Sequence, residues 1–165
     1  MQLDTSQPTV TALDLADPVQ TGAFLELLEH YARDPMGGGA GLAPDVKRRL
    51  IGELQGVAHF HGALAWRNSE ALGLINCFVG FSTFAARPLL NIHDIVVRDG
   101  QRGGGIGQAL LAWAENRARE LGCCKLTLEV LSNNQRALAA YQRAGFAPYV
   151  LDPAAGQALF LQKGL

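Results

Sequence analysis

Charge is scarce in this sequence of 165 residues: Asp, Glu, Lys and Arg make up 18% of it, and 14 Lys plus Arg stand against 15 Asp plus Glu. A net charge of -1 offers no polycationic surface for phosphate backbones, so binding of nucleic acid is disfavoured. Long apolar runs are also lacking. The longest uncharged stretch, residues 71–86, is interrupted by Gly73, Asn76, Gly80, Ser82 and Thr83, and residues 1–10 carry no basic cluster followed by an apolar core. Neither a transmembrane span nor a signal peptide is expected, and no membrane partner. Cysteine is limited to Cys77 and the adjacent Cys123 and Cys124. Three thiols cannot all pair within one chain, and neighbouring cysteines close only a strained ring, so a reduced, cytoplasmic setting is expected. What is present is a hydrophobic content of 48%, enough for one folded domain over residues 1–165. Glycine is in surplus at 19 residues, with clusters at 37–41 and 100–107 where backbone freedom is used.

Alternation over residues 9–13 reads as a first strand ending at Asp14. Asp17 followed by Pro18 reads as a helix cap and first-turn proline, with Phe24, Leu27, Leu28 and Tyr31 at helical spacing and a stop before Asp34-Pro35. Residues 35–41 form a flexible loop. Pro44 then opens a second helix with the stripe Val46, Leu50, Ile51 and Leu54, beside a solvated face of Lys47, Arg48 and Arg49. From Phe60 the period becomes extended. Residues 61–66 and 71–81 read as a hairpin joined by 67–70, and 89–97 follows as another strand. A helix over 106–121 stopped by Gly122, a strand over 125–131, a helix over 134–144 closed by Gly145, and strands over 148–151 and 157–162 complete the order. The pattern is α/β: a mixed, mainly antiparallel central sheet of about seven strands flanked by four helices. One parallel pair is expected across a right-handed crossover between the strands at 89–97 and 125–131.

The stretch from Asp94 through Leu111 runs strand, glycine loop, helix start. Glycines at a helix N-terminus let the backbone approach a ligand and aim unpaired N–H groups at it, and a phosphate is the natural guest. A P-loop requires Gly-Lys-Ser/Thr, but Ile106 follows Gly105 and Gln108 follows Gly107. A dinucleotide fingerprint begun at Gly103 meets Gln108 where Gly or Ala is required.

Instead the loop resembles the acetyl-CoA signature of the GNAT acyltransferase superfamily, Arg/Gln-x-x-Gly-x-Gly/Ala, with Arg102, Gly105 and Gly107 in place. Residues 134–146 are similar to that family's second cofactor segment: Asn134, Ala137 three residues on, Tyr141 seven on, then Gly145-Phe146. Upstream, residues 81–94 partly resemble the Tyr-Ser-Thr-Phe-x-Gly-Arg-Pro segment and following Leu-Glu-Asp strand of the spermidine/spermine and thialysine acetyltransferase branch, with Ala86 in place of Gly and His93 in place of Glu. The resemblance implies the GNAT fold and acetyl-CoA as acyl donor. Backbone groups of Val96 and Val97 would meet the pantetheine arm, and the N–H groups of Arg102, Gly103, Gly104, Gly105, Ile106 and Gly107 would hold the pyrophosphate. Arg102 would add charge, and Asn134 would contact the pantetheine arm or the reacting centre besides capping its helix. A homodimer is expected from the narrower branch alone.

Acyl transfer from a thioester to an amine needs a deprotonated amine, a stabilised oxyanion and a proton for the departing thiolate. Tyr141 resembles the family's tyrosine near the CoA sulfur and is the candidate general acid, its phenol having an ordinary pKa of about 10. His93 stands where the polyamine branch has its glutamate, and an imidazole suits proton abstraction near neutral pH. Asp94, Glu129 or a water are alternatives for the base, and strand alternation places His93 and Asp94 on opposite faces. His59 and His61 would share a strand face, but no third ligand is in view and no metal site is expected. The expected function is acetyl transfer from acetyl-CoA to the primary amine of a small molecule by direct attack, with a polyamine-like or lysine-like acceptor by resemblance. The alternatives are a CoA-binding sensor module without turnover and an acetyltransferase of protein lysines or N-termini.

Overall fold

Asp17 begins the first helix as its spacing dictates: Oδ1 accepts the Val19 N–H at 2.8 Å, and Pro18 occupies the first turn, where no N–H is needed. The computed structural model describes residues 7–165. The helices are α1 (Pro18–Arg33), α2 (Pro44–Gln55), α3 (Ile106–Glu120) and α4 (Gln135–Arg143), and the strands are β1 (Thr9–Ala12), β2 (Phe60–Arg67), β3 (Glu70–Ser82), β4 (Arg87–Val97) and β5 (Leu126–Leu128). They form one sheet in the order β1-β2-β3-β4-β5. All neighbours are antiparallel except β4 and β5, the parallel pair joined through α3.

The sheet separates two apolar layers. α3 packs on one face over Ile75, Cys77, Leu90 and Ile92, and α1 and α2 cover the other over Leu64, Leu74 and Val96. α3 lies close on β3 because residue 73 is glycine: a Cβ there would meet Ile106 Cγ2 at 2.7 Å and Leu110 Cδ1 at 3.0 Å. The β2–β3 connection is tighter than the four-residue turn expected. Both strands extend to leave only Asn68 and Ser69, with φ of +49° and +63°, the left-handed pair that matches a hairpin's twist.

β4 contains an irregularity that alternation does not foresee. Asn76 pairs with Asp94 and Cys77 with Ile92, so His93 is an extra residue, a β-bulge. Before it, Leu90 and Ile92 face α3. After it, Ile95 and Val97 face α3, while Val96 faces α1. The parallel ladder with β5 ends at Ile92 paired with Leu128, just before the bulge, and past that point β4 has no partner on this side among the described residues.

Among the described residues five strands form rather than about seven. β5 spans only Leu126–Leu128, shorter than residues 125–131, because its partner ladder stops at the bulge. Residues 148–151 and 157–162 enter no ladder, and their side chains stand in solvent. Pro148 and Pro153 also withhold two N–H donors from any such pairing.

Candidate active site

The break between β4 and β5 opens a cleft of about 700 Å³. One wall is the end of β4 with Ile95, Val96 and Val97, and the second is α4. The third is the end of α1 with His30, Tyr31 and Asp34, and the floor is the glycine loop. In that loop Gly103 and Gly105 have φ of +86° and +79°, a region that side chains resist, and a Cβ on either would meet nothing within 4 Å. These glycines therefore serve backbone conformation beside open space rather than close packing. No side chain caps α3, and its first backbone bond runs from the Ala109 N–H to the Gly105 carbonyl at 2.9 Å. The N–H groups of Ile106, Gly107 and Gln108 are thus the unspent donors of its first turn, at the positive end of the helix dipole.

The loop is held from behind. Arg67 donates from Nη1 to Gln101 Oε1 at 3.2 Å and from Nη2 to the Gly104 carbonyl at 3.3 Å. Gly104 thereby anchors the loop and does not line the cleft. Ile106 is 1% exposed and belongs to the core, so its backbone alone can serve a ligand. Arg102 lies at the cleft, where Nη2 contacts Asp34 Oδ2 at 3.3 Å and Asp99 Oδ1 at 3.1 Å. Its charge is shared with two carboxylates. The Met36 N–H and the Arg102 guanidinium hold the Asp34 carboxyl below its usual range.

On α4, Asn134 Oδ1 accepts the Ala137 N–H at 3.2 Å, the cap expected of it. The same helix presents Ala137, Ala140 and Tyr141 to the cleft. Tyr141 packs edge-on against Phe146, with ring centres 6.0 Å apart. Burial, with a smaller contribution from Tyr31 across the cleft, pushes its phenol up to about 12. Burial and the charges of Asp94 and Asp34 raise Tyr31 as well.

The candidate bases lie elsewhere. His93 and Asp94 do not line this cleft, and the opposite-face expectation for them fails because of the bulge. His93 Nδ1 lies 3.6 Å from Asp94 Oδ1, the His93 ring stands edge-on to Phe78 on the α1 side, and Asp94 Oδ2 accepts from Asn76 Nδ2 at 3.0 Å. Glu129 is exposed just past β5. His61 Nδ1 faces the Arg117 guanidinium at 3.3 Å. Burial raises the Cys77 thiol to about 12, and a thiol so reluctant to ionise is no nucleophile.

Several cleft residues escape sequence reasoning. Ile95 joins Val97 there because the bulge resets the alternation, and His30, Tyr31 and Asp34 arrive only through tertiary packing of α1. Arg136 and Arg143 also line the cleft. Their spacing of seven places them on one helix face, which was a legible signal. Neither arginine has an ion-pair partner among the described residues. Unspent N–H donors, open space over glycine and two unpaired guanidiniums fit a ligand with several phosphates.

These features define an α/β protein whose parallel ladder stops short beside a cleft suited to a phosphate-bearing ligand. The acetyltransferase (GNAT) family model matches residues 24–146, and the chain belongs to that family. Over 77 residues, 47% of this chain and 41% of the relative, it is 46% identical to a streptothricin acetyltransferase of Streptomyces lavendulae. Over 86 residues, 52% of this chain and 56% of the relative, it is 36% identical to an aminoalkylphosphonate N-acetyltransferase of Salmonella typhimurium. The matched region thus spans about half the length of these curated relatives. Among solved structures, AAC(6')-Iy in complex with the bisubstrate analogue CoA-S-monomethyl-acetylneamine superposes with a TM-score of 0.75 at 15% identity, covering 97% of this chain and 100% of that one. At that identity the likeness is one of fold.

Proposed function

We propose that the chain is a single-domain N-acetyltransferase that uses acetyl-CoA to acetylate a primary amine of a small molecule. The observation that carries this reading is the shared cleft. Uncapped N–H groups of α3, the β4 end at Val96 and Val97, Asn134 and a protonated Tyr141 all border one space. When bound, acetyl-CoA supplies the activated acyl group. The N–H groups of Ile106, Gly107 and Gln108 would bind its pyrophosphate, with Arg102, Arg136 and Arg143 providing countercharge. Asn134 and the β4 backbone would orient the pantetheine arm, and Tyr141 would hold the proton that the departing thiolate takes up. Deprotonation of the amine is assigned to His93 or Asp94 acting through water, since neither side chain lines the cleft.

The two relatives are named for streptothricin and for an aminoalkylphosphonate, which supports a small-molecule acceptor. Neither is a polyamine acetyltransferase, so a polyamine-like acceptor rests on residues 81–94 alone. A cytoplasmic setting is part of the reading. Among the described residues no helix is long and apolar enough to cross a membrane.

The test is calorimetric titration with acetyl-CoA, followed by thiol release against aminoalkylphosphonates, polyamines, lysine analogues, aminoglycosides and a short peptide. Binding with release for one amine class is the expected result. Binding without release for any amine would make the chain a CoA-binding module, and release for the peptide alone would move the acceptor to protein. Absence of binding would overturn the assignment of the glycine loop.

A further inference from the structure

Among the described residues a single polar side chain is buried in the core. Asn76 on β3 is 4% exposed and shares the α1 face with Leu74 and Phe78, two residues to either side. Its partner position on β2 is Gly62, which has no side chain to bond it. Its partner on β4 is Asp94, and Asn76 Nδ2 donates to Asp94 Oδ2 at 3.0 Å. The amide cannot be turned over, because its oxygen would then face a carboxylate. Asn76 Oδ1 is therefore left buried without a donor among the described residues. A half-satisfied amide in an apolar layer costs stability that a leucine would not, so packing does not account for Asn76. The cost falls beside the bulge, since Asn76 and Asp94 are the pair next to the register shift. That shift brings His93 Nδ1 to 3.6 Å from Asp94 Oδ1. One carboxylate thus spends Oδ2 on a buried donor and turns Oδ1 to an imidazole that is 65% exposed. The ring is also braced edge-on by Phe78, with centres 5.6 Å apart. From α1, Tyr31 of the cleft wall lies near enough to feel the Asp94 charge.

We infer that Asn76 is a positioning residue for proton removal from the acceptor amine: it pins Asp94 so that Oδ1 holds the His93 ring with its proton on Nδ1 and leaves Nε2 free to accept. This rests on the assignment of amine deprotonation to His93 and Asp94 in the proposed reaction. The bond made by one ring nitrogen decides which of the two carries the proton, and a carboxylate that is itself bonded holds the ring more firmly than a free one. Nε2 takes up the amine's proton, through water, as the amine nitrogen bonds to the acyl carbon, and Asp94 faces the imidazolium that results. The thiolate departs with the proton of Tyr141. Asn76 touches none of the reacting atoms and acts through Asp94 alone.

The test begins with the ring, on the full chain and without substrate. At alkaline pH, where imidazoles are neutral, nitrogen-15 correlation spectra should show His93 with its proton on Nδ1, its signal among the four histidines being identified by its loss in His93→Gln. In Asn76→Leu the ring should shift toward the Nε2–H form that free histidine favours, while the melting temperature stays within a few degrees of the parent. Asn76→Ala, which removes the same donor without adding bulk, should do the same. With acetyl-CoA and the accepted amine, Asn76→Leu should lower kcat by roughly 10-fold or more, part of what a positioned base contributes, and leave KM for acetyl-CoA within a few-fold. On an Asp94→Asn background the same substitution should cost less than about 2-fold further, because the link is already cut. A parent whose His93 carries its proton on Nε2, a tautomer unchanged in the folded variants, or the full loss of kcat repeated on the Asp94→Asn background would each overturn the inference. If the ring responds as expected and the parent releases no thiol with any amine, the hold of Asn76 on His93 is upheld and it is the acetyl-transfer reading that fails.

Discussion

Burial pushes the Tyr141 phenol up to about 12, so it stays protonated at physiological pH and holds a proton to donate, though as a weaker acid than an ordinary phenol. Tyr141→Phe keeps the ring and its edge contact with Phe146 and removes only the donor. Turnover should fall by about 100-fold or more, in the range of general acid catalysis, while calorimetric affinity for acetyl-CoA stays within a few-fold. Lost affinity with unchanged turnover of bound substrate would make the tyrosine structural. For the glycine loop the informative position is Gly107 rather than Gly105. At Gly105 the φ of +79° strains any side chain whether or not a ligand binds. Gly107 lies in α3, where a Cβ would meet only Val97 Cγ2 at 3.8 Å. Gly107→Val should therefore fold and yet lose acetyl-CoA binding if the cleft that residue 107 lines is the cofactor site. Parent-like affinity in that variant would remove the loop from the site.

At the scale of elements, β4 decides the geometry through one extra residue. Deleting His93 would return Asp94 through Val97 to simple alternation and swap their faces, taking Val96 out of the α1 layer. The deletion should melt well below the parent by circular dichroism, whereas His93→Ala should melt close to it, since the His93 side chain is 65% exposed. The bulge also marks the limit of sequence reading. Helix starts at Asp17 and Asn134 were legible because capping is local, and the glycine loop was legible because positive φ restricts residue choice. The His93–Asp94 contact was not, since a bulge depends on the register of two strands. The final two strands were predicted from composition, but a strand needs an edge to pair with, and composition does not report whether one is free. A second element-scale prediction concerns the α1–α2 loop. Glu29 accepts the Leu42 N–H at 2.8 Å and pairs with Arg33 and Lys47 at 2.7 and 3.1 Å. These contacts, the Leu42 bond first, lower its pKa to about 2. A carboxyl depressed in the folded state lends stability that is complete above its ordinary value and disappears as pH falls toward 2. Glu29→Gln should accelerate hydrogen exchange at Leu42 at pH 7, and the difference from the parent should shrink as pH drops below about 4.

At the scale of the whole molecule, the cleft draws on elements far apart in sequence: the end of α1, the end of β4, the glycine loop and α4. α4 has no fully buried residue and sits against the core through Tyr141 and Ala144. Gln108 Nε2 links it to α3 by donating to the Ala140 carbonyl at 3.0 Å. A ligand spanning the α3 N-terminus and α4 would therefore tie the least anchored helix to the best anchored one, and its binding energy would add to global stability. Acetyl-CoA at about 100 times its dissociation constant should stabilise the fold by roughly 2.7 kcal/mol. For a chain of this size that is a rise in melting temperature of about 5–10 °C. Gly107→Val should show no such rise, whereas Tyr141→Phe should show all of it, because one loses the binding surface and the other only the proton. If acetyl-CoA leaves the parent's melting temperature unchanged at millimolar concentration, the cleft does not bind it. If Tyr141→Phe also loses the shift, the division between binding by the loop and chemistry by the tyrosine is wrong.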